Sequence, residues 1–448
     1  MMLDKASQTL EMAAAAGADQ AEVFAQESRS LKISVYKGEV EELASSSGSG
    51  LGIRAIIGGA AGYAYTTDMS DAGLASAARD AVDNAAVTAA DEFTGLPETG
   101  GEYAELDLFL PALLSTPVAE KIDIARAIEE AALGRDSRVV QVEASQYVES
   151  ESRVAIANSK GFSREQREGV CYAFLQAIAE ENGEMQTGIS FTIGREPGQL
   201  EGTGCGEEAA DRALMLLGAR QCRSMSCPVV TDPFVTASLV SVIGSVLSGE
   251  TVQKQRSMFA GRMGERVASD LVRLVDDGTH PDGLASSSFD GEGVPCRQTV
   301  LLENGVLQGF LYDTYTARKG GAESTGNASR ASYRSLPHVG ATNLRLTGGE
   351  AGSQEIISGV DHGLLVTEVS GMHSGANPIS GDFSVGAAGI LIKGGKLTEP
   401  VREITIAGNL MAMLKSIQAV GNDNRWVPFG GSIHAPTLLI GDMTIGGK

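Results

Sequence analysis

Histidine is scarce in this 448-residue sequence, and none of its five copies lies near another. They stand at 280, 338, 362, 373 and 434, so that even the nearest two, His362 and His373, are eleven residues apart. A helix-borne metal site needs imidazoles about one turn apart, and no such pair is present. Cysteine is equally sparse. The five (171, 205, 222, 227 and 296) form no Cys-x-x-Cys, and an odd number cannot all pair as disulfides. They read as free, mostly buried thiols of a cytoplasmic protein. No apolar run approaches the roughly 18–20 residues that span a bilayer, and the opening Met1-Met-Leu-Asp4-Lys5 carries an acid too early for a signal peptide. Positive charge is short as well: 35 Lys and Arg against 57 Asp and Glu give a net −22. Such a field repels phosphate backbones, so neither nucleic acid nor a membrane is an expected partner. No Gly-x-Ser-x-Gly elbow, Gly-x-Gly-x-x-Gly fingerprint or phosphate-binding Gly-x-x-x-x-Gly-Lys-Ser/Thr occurs.

Glycine is abundant instead, at 56 residues, while aromatic residues make up only 5%. This combination fits a β-rich fold with many tight turns. The first half carries one pattern twice. Helical periodicity over 3–17 leads into strand-like stretches at 21–27, 31–36, 39–46, 51–57 and 60–66, then a helix opening near Ser70-Asp71. Helix 118–133 leads into strands at 138–148, 151–158, 163–180 and 185–194, then helix 207–220. Lys37-Gly38 and Lys160-Gly161 mark equivalent turns. An internal duplication (1–90 and 117–222) is one reading, with 91–116 as the linker; two unrelated sheet-and-helix blocks is the other. The fold class is α+β: an N-terminal α/β region over 1–226, then a β-rich domain over 227–448. In the latter, helices are expected at 234–249 and near 264–271. Asn304-Gly305 fits a two-residue hairpin turn, and 317–335 reads as a long surface loop or lid.

Ser370-Gly-Met-His373-Ser-Gly375-Ala-Asn377-Pro378-Ile-Ser-Gly381-Asp382-Phe383 is the most distinctive run. His373, Asn377 and Asp382 are candidate contacts to a peptide or a partner, since such an irregular path exposes backbone hydrogen-bonding groups. A scaffold of bulges and turns is the competing reading. A new metal site built from His373, Asp382 and other residues is a further alternative. Ser374 beside His373 is no nucleophile–base pair, because neighbours in an extended chain point apart. Cys222 and Cys227, five apart, pack as small apolar residues or form a redox pair. Gly48-Ser-Gly50-Leu-Gly52 precedes a strand rather than a helix, so it reads as a turn and not a phosphate loop.

Asn377-Pro378-Ile-Ser-Gly381-Asp382-Phe383-Ser-Val-Gly386-Ala-Ala-Gly389, Glu403-Ile-Thr-Ile-Ala407-Gly408-Asn409, Val420-Gly-Asn-Asp423, Val275-Asp-Asp-Gly-Thr279 and Lys37-Gly38-Glu39 together resemble the TldD/PmbA family over nearly the whole chain. In its peptidase members the frame around 236–250 holds a His-Glu-x-x-x-His helix. The resemblance lays the two histidines on Val240 and Ser245 and the glutamate on Ser241. The third ligand, a cysteine near the C-terminus, falls in Trp426-Val-Pro428-Phe-Gly430-Gly431-Ser432, and no cysteine follows Cys296. Valine and serine cannot replace imidazole on zinc or a carboxylate as base. The chain therefore resembles the metal-free, PmbA/TldE-like branch, with no catalytic or metal-binding residue and no cofactor of its own.

What the resemblance implies is a barrel-like C-terminal domain that closes around a cavity. It also implies a dimer with a TldD-like zinc peptidase subunit, or with itself, acting on short or unfolded peptides. A homodimeric peptide-binding protein without a catalytic partner and a hydrolase with an unrecognised site are the alternatives. The empty ligand positions lead to a first expectation: the desalted chain carries far less than one zinc ion. Elemental analysis finding about one per chain would overturn it.

Overall fold

A computed structural model of the chain describes residues 2–428 and 431–448, without the side chain of His373. Two compact units emerge. One comprises residues up to Gly100, Glu105–Gly218 and Arg330–Leu336; the other comprises Gly101–Ala104, Ala219–Ser329 and Pro337–Lys448.

The first unit repeats one order of elements. α1 (Met2–Ala15), β1 (Gln20–Tyr36), β2 (Glu39–Ile57), β3 (Ala60–Thr66) and α2 (Asp71–Val87) are followed by the short α3 (Ala112–Ser115). Then come α4 (Val118–Arg135), β4 (Val139–Asn158), β5 (Ser163–Glu181), β6 (Glu184–Gly194) and α5 (Gly202–Met215). The strands form one antiparallel sheet in the order β3-β2-β1-β4-β5-β6, so the two hairpins meet along β1 and β4. α1 and α2 cover one half through Ala6, Leu74, Ala78 and Ala81, against Val23, Leu51 and Ile53. Ile128, Ala132, Ala209 and Ala210 of α4 and α5 cover the other. Alanine dominates both contacts, which lets helix backbones lie close to the sheet. At Gly62 an added Cβ would stand 2.1 Å from Ala81 O.

The strands are longer than the sequence pattern predicts. Stretches 21–27 and 31–36 are one strand, as are 39–46 with 51–57 and 138–148 with 151–158. Their middles are polar on both faces, which breaks apolar alternation. The backbone ladder nevertheless continues, with Ser28 opposite Gly48 and Ser30 opposite Ser46, whose hydroxyls lie 2.8 Å apart. Gly50 and Gly52 are strand interior rather than turn. A Cβ at Gly50 would lie 2.3 Å from the Tyr333 ring, and one at Gly52 would lie 2.0 Å from the Tyr63 hydroxyl.

Three polar groups pin this unit. The Glu129 carboxylate accepts from Lys37 N and Gly38 N, both at 2.7 Å, and so holds a turn whose residues have φ of 54° and 75°. Buried Lys121 donates to Leu113 O (2.7 Å) and to Glu149 (2.8 Å), which also accepts from Tyr147 OH. Burial, then the Glu149 bond, pushes the Tyr147 phenol upward. Lastly Arg330, on a segment expected to be loop, buries its guanidinium against Glu22, which Arg54 also contacts at 3.1 Å. Residues 330–336 are thus packed structure and no mobile lid. Tyr63 OH donates to Tyr333 O (2.7 Å), and the Tyr333 side chain is buried.

The second unit contains β7 (Met225–Thr231), α6 (Pro233–Val246), α7 (Gly249–Gln253), β8 (Leu274–Asp277), β9 (Gln298–Glu303), β10 (Val306–Leu307), α8 (Thr314–Gly320), β11 (Ala328–Ser329) and β12 (His338–Val339). Then follow β13 (Asn343–Leu346), α9 (Ser353–Ser358), β14 (His362–Ser370), α10 (Met372–Gly375), β15 (Asp382–Lys393), β16 (Lys396–Asn409) and α11 (Leu410–Lys415). β17 (Ile417–Val420), β18 (Arg425–Val427), β19 (Ser432–Ala435) and β20 (Leu438–Gly446) complete the chain. One sheet runs β10-β9-β8-β13-β19-β18. The other runs β16-β15-β14-β7-β20-β17, and an added β16–β20 pairing closes five of its strands into a barrel. That matches the β-rich, barrel-like expectation.

Asn304 and Gly305 make the predicted hairpin turn with φ of 48° and 73°. The helix expected near 264–271 is absent. Its amides instead reach the adjacent hairpin, Gly264 N to Leu307 O and Val267 N to Gly305 O, which removes the i→i−4 bonds a helix would need.

Arg330→Ala should destabilise the first unit by about 3 kcal/mol, because a buried carboxylate loses a partner. Calorimetry resolving the two units reads this; an unchanged first-unit transition would refute it.

Candidate functional site

α6 starts at Asp232, whose side chain accepts from Val235 N at 2.9 Å, with Pro233 in the first turn. This is the usual start of a helix. The helix is apolar on most sides: Phe234, Val235, Ala237, Leu239, Val240, Ile243 and Val246 are all buried. Its remaining face, Ser241, Gly244, Ser245 and, just past its end, Ser248, lines a cavity of about 310 Å³. Gly340, Ala341 and Thr342 line it too, as do Gly431 and Ser432. Gly244 is required: a Cβ there would stand 2.2 Å from Leu344 Cδ1.

Two of the three motif positions therefore share the cavity wall. The third does not. Val240 lies in an apolar cluster with Leu239, Ile243, Val272, Leu274 and Leu302, as its place on an α-helix one residue before Ser241 requires. Ser245 Oγ donates to Val242 O at 2.7 Å. The donor set does not fit zinc: one motif position is a valine turned into the core and two are neutral hydroxyls. The stretch matched to the third ligand brings Gly431 and Ser432 to the cavity, while residues 429 and 430 lie outside the described residues.

The wall opposite α6 is braced by groups the sequence did not single out. Asp276 is buried and accepts from Thr342 N (2.7 Å), Thr342 Oγ1 (2.8 Å) and Asn327 Nδ2 (2.6 Å). Burial pushes its carboxyl up to about 6, against the pull of these donors. Asn343 Nδ2 donates to Asp277 O (2.7 Å), and Asn343 Oδ1 accepts from Ser432 Oγ (2.6 Å). These bonds fix the parallel pairing of β13 with β19, Asn343 opposite Ser432. Only Val275-Asp276-Asp277-Gly278-Thr279 gave a signal, as part of the family frame; Asn343 gave none.

Asn377 and Asp382 lie elsewhere, outside the lining of this cavity. Asn377 Oδ1 accepts from Ile379 N (2.9 Å) and Ser380 N (3.2 Å), and its backbone N donates to Asp382 O (2.7 Å). Asp382 accepts from Asn409 Nδ2 at 2.9 Å. The donors Asn409 and Ser380 hold its carboxyl below the usual range. Both side chains are exposed yet engaged in the local turn. The side chain of His373 lies outside the described residues.

Among the cysteines no disulfide forms, and burial pushes Cys227 up to about 11 and raises Cys222 as well. Neither is a ready thiolate.

His434, next to the cavity-lining Ile433, stacks on Trp426 at 4.7 Å between ring centroids, and His280 meets the same indole at 5.3 Å. Burial, then the charge of Arg345 and the neighbouring His280, lowers His434 to about 4. A histidine held neutral in the fold but protonated near its ordinary value when unfolded adds stability above pH ~6.5. That stability is lost as pH falls toward about 4. His434→Phe should flatten the fall in melting temperature of the second unit across this window. An identical slope in the variant would show that His434 does not drive it.

Three family models match the chain. They are the PmbA/TldA metallopeptidase domain 1 over residues 21–85, the central domain over 111–217 and the C-terminal domain over 224–447. The metalloprotease PmbA of Escherichia coli O157:H7 is 31% identical, covering 100% of this chain and 96% of its own length. A TldD homolog of Haemophilus influenzae is 28% identical over 96% of this chain and 93% of its own. The crystal structure of TldE from Thermococcus kodakarensis superposes with a TM-score of 0.90 at 26% identity, covering 99% of this chain and 100% of that one. From its sequence end to end and from its fold, the chain belongs to the PmbA/TldD metallopeptidase family.

Proposed function

We propose that this chain is the metal-free subunit of a two-component peptidase, paired with a TldD-like subunit that holds the zinc. The observation that carries this is the chemistry of α6, where the family's ligand positions are occupied by Val240, Ser241 and Ser245 inside an otherwise intact frame. A water nucleophile at neutral pH needs a metal or a base to activate it; α6 supplies hydroxyls in their place, and the carboxylate in the lining, Glu250, is paired with Lys254. The subunit contributes a shaped, hydroxyl-lined wall and leaves bond cleavage to its partner.

Short or unfolded peptides are the substrates this reading implies. A cavity of about 310 Å³ admits a few residues rather than a folded domain. Among the described residues no helix is long and apolar enough to cross a membrane, and five cysteines outside any disulfide agree with a cytoplasmic location. The net charge of −22 argues against a role on DNA.

The pure chain should leave unfolded peptides intact. Mixing it with the His-Glu-x-x-x-His protein from the same cell should produce chelator-sensitive cleavage, read by mass spectrometry of the products. Chelator-resistant cleavage by the pure chain would make it an independent hydrolase. Peptide binding with no gain of cleavage on mixing would make it a binding protein.

A further inference from the structure

The sheet that runs β10-β9-β8-β13-β19-β18 has two chemically different faces. Leu344 of β13 and Ile433 of β19 turn toward the cavity beside α6. The residues that follow them, Arg345 and His434, turn to the other face, since successive strand residues alternate. There the register sets Arg345 beside His434 across β13 and β19, and His434 beside Trp426 across β19 and β18. His280, from the turn after β8, adds a second imidazole against the Trp426 ring.

This row holds many donors and few acceptors. His280 Nδ1 accepts from Asp282 N at 3.2 Å, so its proton sits on Nε2. Among the described residues that Nε2, both ring nitrogens of His434 and the indole N–H of Trp426 have no hydrogen-bond partner. All three residues are half-buried and so reach solvent in part. Arg345 is 24% exposed and gives one hydrogen bond, from Nη1 to Asp277 Oδ2 at 3.3 Å; its Nε is buried without a partner.

The acceptor at hand is already engaged. Besides Arg345, Asp277 takes Gln298 Nε2 (3.1 Å), Thr279 N (3.2 Å) and Thr279 Oγ1 (3.1 Å). Asp282 is exposed and acts on both imidazoles through its charge, yet its carboxylate bonds neither. Arg345 outweighs it: after burial, the charge of Arg345 is the next cause that lowers both His280 and His434.

Donors left over beside a cation call for a ligand that only accepts. We propose that Arg345, His280, His434 and Trp426 form a carboxylate-binding site on the face of this sheet turned away from the cavity. A planar carboxylate takes two N–H bonds at once, and the indole offers apolar area to the carbon that bears it. A peptide C-terminus is the source that rests on the peptidase reading; a free small acid is the other source. The site itself does not depend on that reading. The net −22 opposes any anion at long range, but at physiological salt charges beyond about 8 Å are largely screened.

Trp426 is the sole tryptophan, so its fluorescence in the full chain reports on this patch. The probes are sodium acetate, acetyl-trialanine with a free C-terminus and the same peptide as its C-terminal amide, each at matched ionic strength. Acetate should give a saturable change with a Kd of about 10 mM, and the free-acid peptide a Kd of about 1 mM. The amide should bind at least about tenfold more weakly than the free acid. Arg345→Gln and His280→Phe, the latter keeping a ring against Trp426, should each weaken acetate by about fivefold. Asp282→Asn should tighten it by about twofold, because a repelling carboxylate is gone; a purely structural role would not give these opposite signs. No saturable response to acetate or to the free-acid peptide overturns the site. So does a response that persists unaltered in both weakening variants at unchanged melting temperature. A response to acetate on which the free-acid peptide does not improve supports the site and assigns it to a small acid. Every arm is read on the pure chain, so the mixing assay for peptide cleavage stands or falls separately.

Discussion

The second unit depends on one demand, that an almost wholly apolar helix be surrounded. α6 buries nine of its fourteen residues and has to be packed on nearly every side. The barrel strand β14 and the second sheet's β13 and β19 approach it from different directions. The face left over is the short stripe of small residues at Ser241, Gly244 and Ser245, and the cavity exists because that stripe is small. Leu344 reaches in to the point where only a glycine can sit opposite it. The same packing explains why Val240 is core. Val240 lies on the side of α6 that meets Leu239, Val272, Leu274 and Leu302.

Much of this was legible before the structure. The paired order of elements in the first half, the Asn304-Gly305 turn and the β-rich second half all follow from periodicity and turn chemistry. Other features were hidden for identifiable reasons. The long strands of the first sheet look like fragments in sequence because their middles are polar on both faces, and no apolar alternation marks a ladder that backbone hydrogen bonds sustain. The segment 264–271 carries apolar residues at helical spacing, yet a neighbouring hairpin takes its amides. Residues 330–336 look like loop because Ser, Arg and Gly surround them; what orders them is Glu22, some three hundred positions away.

The site was legible in part and for a similar reason. Identity of residue type disqualified positions 240, 241 and 245 as metal ligands, and this needed no coordinates. Which of them faces open space did need coordinates, because it depends on the sheets around α6. The braces behind the wall, Asp276 and Asn343, act through partners separated from them by fifty residues or more, and polar residues in ordinary company give no local sign of such work. Asn377 and Asp382 are engaged in their own turn, so whatever that run offers to another molecule has to come largely from its backbone.

The Lys37-Gly38 turn carries a consequence for the order in which this chain is completed. Both its amides end on the carboxylate of Glu129, which belongs to the second copy of the repeated pattern. The two halves of the sheet are therefore not interchangeable. The first bend is completed by an anion encoded about ninety residues downstream, and a ribosome that has made only the first half of the sheet has made a hairpin whose turn still awaits its counterpart.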